Sequence, residues 1–146
     1  MFLFLCNARI PRSLRGRIVS NDLKAHCESI AKDLANGLPA EECHNCEHHV
    51  FIKNDDGEEV CESCEAHRGQ MSGWDYIKDA LDIEYVVDGQ GEYLGARVLV
   101  AFGGPNIWIN TRQGVIEGAW WDESCTVSFH DGIDLDAAAS ELWGCR

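Results

Sequence analysis

Two Cys-x-x-Cys pairs lie close together in the first half of the chain, and they constrain its fold more than any other feature. The pairs are Cys43 with Cys46 and Cys61 with Cys64, with fourteen residues between them. Two-residue spacing lets both thiolates of a pair bind one tetrahedral ion at a Zn–S distance of about 2.3 Å, and two pairs complete a four-ligand shell. The spacing therefore predicts a structural Zn²⁺ site, with an iron–sulfur centre or a redox dithiol as the alternatives.

The residues between the pairs predict a hairpin that brings the cysteines together. The runs "HVFIK" (49–53) and "EEVC" (58–61) have strand composition, and "NDDGE" (54–58) is typical of a turn. The order of metal knuckle, strand, turn, strand and second knuckle resembles a zinc ribbon over residues 41–67. This resemblance implies metal binding but no single function, because zinc ribbons occur in DNA-binding proteins, RNA polymerases and protein-docking modules.

Four histidines also lie in this segment, but a shell of four cysteines needs none of them. A closed shell leaves no coordination position for water, so we expect a structural role for the metal and no metal catalysis. The histidines not expected to bind the ion are His44, His48, His49 and His67.

The net charge of −13 is distributed unevenly along the chain. Residues 1–40 contain six Lys/Arg and three Asp/Glu, whereas residues 41–146 contain six and twenty-two. A negative surface repels nucleic-acid phosphates and attracts basic surfaces. We therefore expect a basic protein or nucleoprotein complex as the partner and no direct nucleic-acid binding. Solubility alone is the other interpretation of the acidity.

The remaining patterns predict an α+β fold in three segments. In residues 1–40, "MFLFLC" indicates a buried first strand, and apolar residues with helical spacing predict an amphipathic helix with Ser20 or Asn21 as N-cap. The spaced residues are Leu23, Cys27, Ile30 and Leu34. Residues 41–70 form the zinc-ribbon-like module, and residues 71–146 form an α+β domain.

The 71–146 domain is predicted to be an antiparallel β-meander with flanking helices. A first helix over 74–81 has Ser72 as its cap, and a last helix begins near Asp131 or Asp134. Turns between the strand-like runs are too short for parallel crossovers, so the sheet is antiparallel. We expect the two helices to cover one face of the sheet and to leave the other partly wet. The runs are 82–88, 93–102, 106–110, 114–121 and 125–130.

Tryptophans on the predicted strands are candidate partner contacts. Trp120 and Trp121 are neighbours in one predicted strand, so they point to opposite faces and one is expected to be accessible. Trp108 lies on the neighbouring predicted strand, and its side chain is likewise either buried or accessible to a partner. An exposed Trp rimmed by acids is typical of a binding hot spot, unless the N-terminal helix covers that face. The candidate partner-binding residues are Trp108, Trp120, Trp121, Asp55, Asp56, Glu58, Glu59, Asp122 and Glu123.

No enzymatic constellation is expected. Cys125, His130 and Asp131 have the residue types of a nucleophile, a base and an orienting acid. In a strand, however, Cys125 and His130 point to opposite faces, which argues against a direct pair. Cys27, Cys125, Cys145 and Cys6 are expected to be core thiols. No apolar run approaches the roughly 18 residues of a membrane span, and the start of the chain lacks the features of a signal peptide.

The stretch "AFGGPNIWINTRQGVIEGAWW" resembles small uncharacterised domains encoded by tailed phages, over residues 80–143. In those domains a G-G-P-x-I-x-I-x-T strand leads to a strand that ends in a Trp pair. The resemblance brings no catalytic residues. It implies a phage protein, in the cytosol of a bacterial host, and no mechanism. Small, strongly acidic phage proteins of this class often occupy basic surfaces of nucleic-acid machinery such as restriction and CRISPR effectors, and we expect the same role here.

Two functions follow as hypotheses. The first is a non-enzymatic, acidic zinc-binding protein that inhibits a nucleic-acid-targeting defence complex by mimicking nucleic acid. The alternative is a zinc-ribbon transcriptional regulator that contacts nucleic acid through basic residues near the N-terminus. These basic residues are Arg9, Arg12, Arg15 and Arg17.

Overall fold

A computed structural model of the protein describes residues 22–146. The predicted first strand, Cys6, the four N-terminal arginines, Ser20 and Asn21 lie outside these residues. Within the described range the fold is α+β, as predicted. The helices are α1 (Leu23–Asn36), α2 (Gly73–Lys78) and α3 (Leu135–Gly144). The strands are β1 (Phe51–Lys53), β2 (Glu59–Cys61), β3 (Asp82–Val87), β4 (Tyr93–Ala101), β5 (Asn106–Asn110), β6 (Val115–Trp120) and β7 (Glu123–Ser128).

The strands form two antiparallel sheets. Strands β1 and β2 pair as a hairpin, and β3 to β7 form a five-stranded sheet in which each strand pairs with the next along the chain. The predicted meander is thus confirmed. Its connections are short, which permits hairpins and excludes the long crossovers that parallel strands need.

The hydrophobic core lies on one face of the large sheet. Alternate residues of the central strands point to this face, and Ile107, Ile109 and Ile116 are fully buried there. The apolar stripe of α1 and the buried residues of α3 belong to the same cluster. All three helices therefore contribute buried residues to one core, and α1 does not cover the opposite face of the sheet.

Close packing of α1 depends on a glycine in β6. A Cβ atom at Gly118 would lie 2.7 Å from the Sγ of Cys27 and 3.0 Å from the Sγ of Cys125. Real side chains do not approach so closely. The absence of a side chain at this position lets α1 approach the sheet.

Side-chain caps fix the starts of α2 and α3. Ser72 and Asp75 form a reciprocal capping box on α2, so the predicted cap is confirmed. For α3, both carboxylate oxygens of Asp131 accept hydrogen bonds, from the amides of Leu135 and Asp136 at 2.9 Å each. Asp134 makes no capping hydrogen bond, so Asp131 is the residue that holds this helix end.

The chain enters and leaves the cysteine-containing segment through one pair of adjacent backbone stretches. The amide of Ala40 donates to the carbonyl of Gly69 at 2.8 Å, and the amide of Met71 donates to the carbonyl of Leu38 at 2.7 Å. These bonds form the base of the module. The domain boundaries at 40/41 and 70/71 stay a prediction, and α1 shares its core with the strands of the third segment.

Candidate metal centre

The four cysteines of the two pairs converge on one point. Their Sγ atoms all lie within 4.8 Å of one another. Sγ of Cys43 is 3.5 Å from that of Cys64, and Sγ of Cys46 is 3.6 Å from those of Cys61 and Cys64. Thiolates bound tetrahedrally to one ion at about 2.3 Å stand about 3.8 Å apart, and disulfide sulfurs about 2.05 Å apart. The set therefore fits a single metal ion.

Both Cys-x-x-Cys loops have the same backbone structure. The amide of Glu47 donates to the carbonyl of Cys43 at 2.8 Å, and the amide of Glu65 donates to the carbonyl of Cys61 at 2.9 Å. Each glutamate follows the second cysteine of its pair and is left-handed, with φ of 57° and 58°. This conformation costs a residue with a Cβ atom about 1–2 kcal/mol, so both loops hold strain at the ligands.

Backbone amides in the loops favour ionised sulfur at one ligand. The amide of Asn45 donates to the Cys43 sulfur and, against the effect of burial, lowers the pKa of this thiol to about 6. The amide of Ala66 acts in the same direction on Cys64 and is the largest single influence there, but Cys43, burial and the other two cysteines together outweigh it and raise the Cys64 pKa to about 12. Without a cation the four sulfurs cannot all be ionised together. Metal binding at this site therefore releases protons.

The site is half open to solvent, and the histidines near it lie against acids. Cys43 and Cys61 are buried, whereas Cys46 and Cys64 are exposed. Three of the four histidines in the segment have a carboxylate partner: His44 with Asp75 at 3.9 Å, His48 with Glu62 at 3.6 Å and His67 with Glu58 at 3.6 Å. In residues 22–146, the one group of side chains placed to hold a metal contains the four cysteines alone.

The hairpin turn of the module carries the predicted acids at its surface. Asp55, Asp56, Glu58 and Glu59 are all exposed, and we call them the ribbon tip. The side chain of Asn54 holds the turn, because its Oδ1 accepts from the amides of Asp56 and Glu58 at 3.1 and 2.9 Å. Glu59 pairs with Arg68 at 3.0 Å.

Trp121 is the exposed member of the Trp pair, but it does not lie in a strand. The predicted strand 114–121 extends one residue past each end of β6, which runs from Val115 to Trp120, and β7 begins at Glu123. Trp121 and Asp122 form the turn between them, with Trp121 left-handed at φ 53° and 91% exposed. Trp120 packs against the core. The turn, and not strand alternation, separates the two rings. We call Trp121, Asp122 and Glu123 the Trp hairpin.

A second exposed aromatic residue, Phe102, was missed in the sequence. It is 73% exposed and follows the end of β4, in the loop that leads to β5. This loop lies at the same end of the sheet as the Trp hairpin, since a Cβ atom at Gly104 would lie 2.8 Å from the Trp120 ring. The sequence signal for its exposure is the Gly-Gly-Pro that follows directly, because Gly and Pro mark a loop and place the preceding residue at the end of the strand.

Trp108 lies on the sheet face opposite the helices and is partly buried. The guanidinium carbon of Arg97 is 4.6 Å from the centre of its ring. Arg97 also pairs with Glu84 at 2.7 Å and with Glu117 at 3.3 Å. Arg97 thus covers part of the Trp108 ring, and Trp121 is the far more accessible of the two.

Two of the three residues considered as a nucleophile, a base and an orienting acid, Cys125 and Asp131, contact other groups in the structure. Sγ of Cys125 contacts Sγ of Cys27 at 3.4 Å, and Asp131 caps α3. Burial raises the pKa of Cys27 to about 12, which keeps this thiol protonated. Cys145 was expected in the core but is exposed, because it follows the last turn of α3 at the surface.

Comparison of the chain with models of protein families, with curated proteins and with solved structures gives no match. The class of site therefore rests on its geometry: four cysteines at metal-binding distance in a zinc-ribbon-like hairpin. Among residues 22–146, none of the helices has the length and apolar composition needed to cross a membrane.

Proposed function

We propose that the protein binds one Zn²⁺ through Cys43, Cys46, Cys61 and Cys64, and that it acts without catalysis by binding a basic surface of another protein. The observation that carries the zinc assignment is the convergence of four sulfurs within 4.8 Å. A tetrahedral set of four sulfurs selects zinc or iron, and zinc is the usual ion in hairpin modules of this kind.

The ion has a structural role in this proposal. Residues 41–70 contribute three buried apolar or thiol side chains, Cys43, Val60 and Cys61, and two of these are ligands. Such a segment cannot bury enough apolar surface to fold alone, so metal binding supplies its folding free energy. Four thiolates around Zn²⁺ leave a formal charge of about −2, which adds to the acidity of the module.

Elemental analysis of freshly purified protein tests the metal. We expect one zinc per chain, and the absorption of four-thiolate coordination after replacement by Co²⁺. Iron with cluster absorption, or no bound metal, would show that the zinc assignment is wrong. Replacing exposed Cys145, which lies outside the site, with Ser is the matched control and should leave the stoichiometry unchanged.

Two surfaces support the binding of a basic partner. The ribbon tip consists of exposed acids, and the Trp hairpin combines a fully accessible ring with Asp122 and Glu123. Exposed aromatic rings are typical contacts of protein interfaces, and acids beside them complement the charge of a basic partner. In its most specific form, we propose that the protein is a phage-encoded inhibitor that imitates nucleic acid on a host defence complex.

Competition with nucleic acid tests this partner hypothesis. After affinity purification of the partner from a bacterial host, DNA or RNA should compete with the protein for one groove, and rising salt should weaken the complex. Charge reversal of the ribbon tip in one variant, and of Asp122 with Glu123 in another, identifies the contact. Trp121→Ala should cost about 2 kcal/mol or more of binding. Leu94→Ala is its control, since Leu94 is exposed apart from both surfaces.

If none of these variants changes capture while all remain folded, the acidity serves only solubility. Binding of nucleic acid itself, lost when Arg9, Arg12, Arg15 and Arg17 are replaced, would instead support the transcriptional regulator.

A further inference from the structure

The outer edge of β1 is an unpaired strand edge. Strand β2 has partners on both sides, because it pairs with β1 and forms an isolated bridge from Val60 to His67. In the described part of the chain, no strand pairs with the other side of β1. Such an edge presents backbone amides and carbonyls to any extended chain that can reach them.

The hydrogen bonds of the hairpin identify which groups are free. The carbonyl of Val50 accepts from the amide of Glu62, and the amide of Asn54 donates to the carbonyl of Glu58, both at 3.0 Å. Hydrogen-bonded positions alternate in an antiparallel pair, so Ile52 is the next residue to bond inward. The amides and carbonyls of the residues between, Phe51 and Lys53, point outward.

Apolar side chains line this free edge. Val50 and Ile52 are 46% and 47% exposed. They lie two residues apart, on one face of the strand, where their side chains are available to an added neighbour. Native edge strands are commonly protected by a very short length, charged side chains, a proline or a bulge, and β1 has neither a proline nor a bulge. Here Lys53 is the one charged residue of the strand.

The surrounding charge selects the chemistry of the added strand. Residues 41–67 contain nine Asp/Glu and one Lys. Asp55 and Asp56 follow the end of β1 after Asn54, in the turn, and are exposed. A basic segment is therefore attracted to this edge, whereas an acidic one is repelled.

We infer that the β1 edge binds an extended segment of alternating basic and apolar residues as a third strand of the hairpin sheet. The apolar side chains of this segment lie against Val50 and Ile52, and its Lys or Arg residues lie near Asp55 and Asp56. The segment belongs to the basic partner, so this inference rests on the proposed function and specifies how one surface would carry it out. Backbone hydrogen bonds supply affinity in this mode of recognition, and alternate side chains supply specificity.

Binding of a defined peptide to the zinc-loaded full chain tests the inference. The probe is a short labelled peptide of alternating Lys and Val, and its control alternates Glu and Val. We expect the first to bind with salt-sensitive affinity and the second not to bind. Failure of the Lys-Val peptide to bind would overturn the inference and leave the acids of the ribbon tip and the Trp hairpin as the contacts of the proposed function.

A proline at position 53 separates strand addition from simple charge attraction. Lys53→Pro removes an outward amide, and proline is tolerated on an edge strand where its nitrogen faces outward. Lys53→Ala removes the same charge but keeps the amide. We expect Lys53→Pro to bind the peptide about tenfold more weakly than Lys53→Ala, with unchanged zinc content. Equal affinities of the two variants for the peptide would mean that charge attraction holds the peptide at another place on the surface. That result would overturn strand addition, but the proposal of a basic partner would stand.

Amide hydrogen exchange in the unmodified protein gives a second measurement that needs no mutation. Peptide binding should slow the exchange of Phe51 and Lys53, while Ile52, already bonded to β2, should change little. Unchanged exchange at Phe51 and Lys53 with bound peptide would contradict the inference. Self-association that Lys53→Pro abolishes, without peptide binding, would identify a second copy as the occupant and overturn the basic-segment proposal.

Discussion

The cysteine module and the helix-covered sheet stabilise their folds by different means. In the sheet, fully buried Ile107, Ile109 and Ile116 pack against side chains from three helices. In the module, the hairpin contributes Val60 to the interior, and the remaining buried side chains are the thiols of Cys43 and Cys61. One region thus depends on apolar burial, whereas the other, in the function we propose, depends on an ion.

This difference explains where the acids can lie. A hairpin held by an ion needs little apolar surface, so nine of its residues between 41 and 67 can be Asp or Glu. The five tryptophans, in contrast, all lie outside the module, at Trp74, Trp108, Trp120, Trp121 and Trp143. Tryptophan fluorescence therefore reports on the sheet and its helices, and the two regions can be followed separately.

The largest expected effect is loss of the metal. Cys61→Ser removes a buried ligand, and structural zinc sites contribute about 10–16 kcal/mol of apparent binding free energy. We expect the amides of residues 41–70 to lose protection from hydrogen exchange while tryptophan fluorescence keeps its native spectrum. Simultaneous loss of both signals would mean that the two regions fold as one unit. Cys145→Ser should change neither signal.

A cavity in the core of the large sheet should destabilise the sheet and leave the cysteine module intact, the reverse of the effect expected for Cys61→Ser. Ile109→Ala removes a fully buried side chain and should lower the free energy of unfolding by about 2–5 kcal/mol. Urea denaturation followed by tryptophan fluorescence measures this loss, while the zinc stoichiometry should stay at one per chain. Ile52→Ala is the matched control, because Ile52 is 47% exposed. Loss of zinc from folded Ile109→Ala would remove the distinction between the two regions.

Patterns that depend on neighbouring residues could be predicted from the sequence. The spacing of the cysteines indicated the ligand set, and short turns indicated the antiparallel meander. Contacts between distant residues could not be read in this way. The packing of α1 on Gly118, and the position of Arg97 over Trp108, depend on tertiary structure and strand register. The exposure of Trp121 depends on a turn that begins one residue earlier than expected.

A smaller effect should come from the strained glutamates of the metal loops. Glycine adopts positive φ without steric cost, so Glu47→Gly and Glu65→Gly should each stabilise the zinc-bound module by about 1 kcal/mol. Competition for zinc with a chelator measures the gain. Glu41→Gly is the control, because Glu41 is exposed and is not among the residues with positive φ. Equal effects at all three positions would show that removal of negative charge, and not strain, is responsible.

The smallest expected effect concerns the cap of α2, where the module meets the sheet. The amide of Ser72 donates to the Asp75 carboxylate and, together with the Ser72 hydroxyl and Lys78, lowers the pKa of Asp75 to about 2. The folded pKa lies below the unfolded value of about 3.9. The ionised cap therefore stabilises the fold above about pH 4, and this contribution is lost as the pH falls towards about 2.

Asp75→Asn should destabilise the protein near neutral pH by about 0.5–1 kcal/mol, since the site is partly open to solvent and the charge is screened. The comparison belongs in the Cys61→Ser background, because acid also releases zinc from the intact site. Urea denaturation, followed by tryptophan fluorescence, measures the free energy of unfolding of Cys61→Ser with and without Asp75→Asn. The difference between these two values should disappear as the pH falls from about 4 to about 2. A difference that persists unchanged at the lowest pH would mean that the shape of the side chain, and not its charge, stabilises this junction.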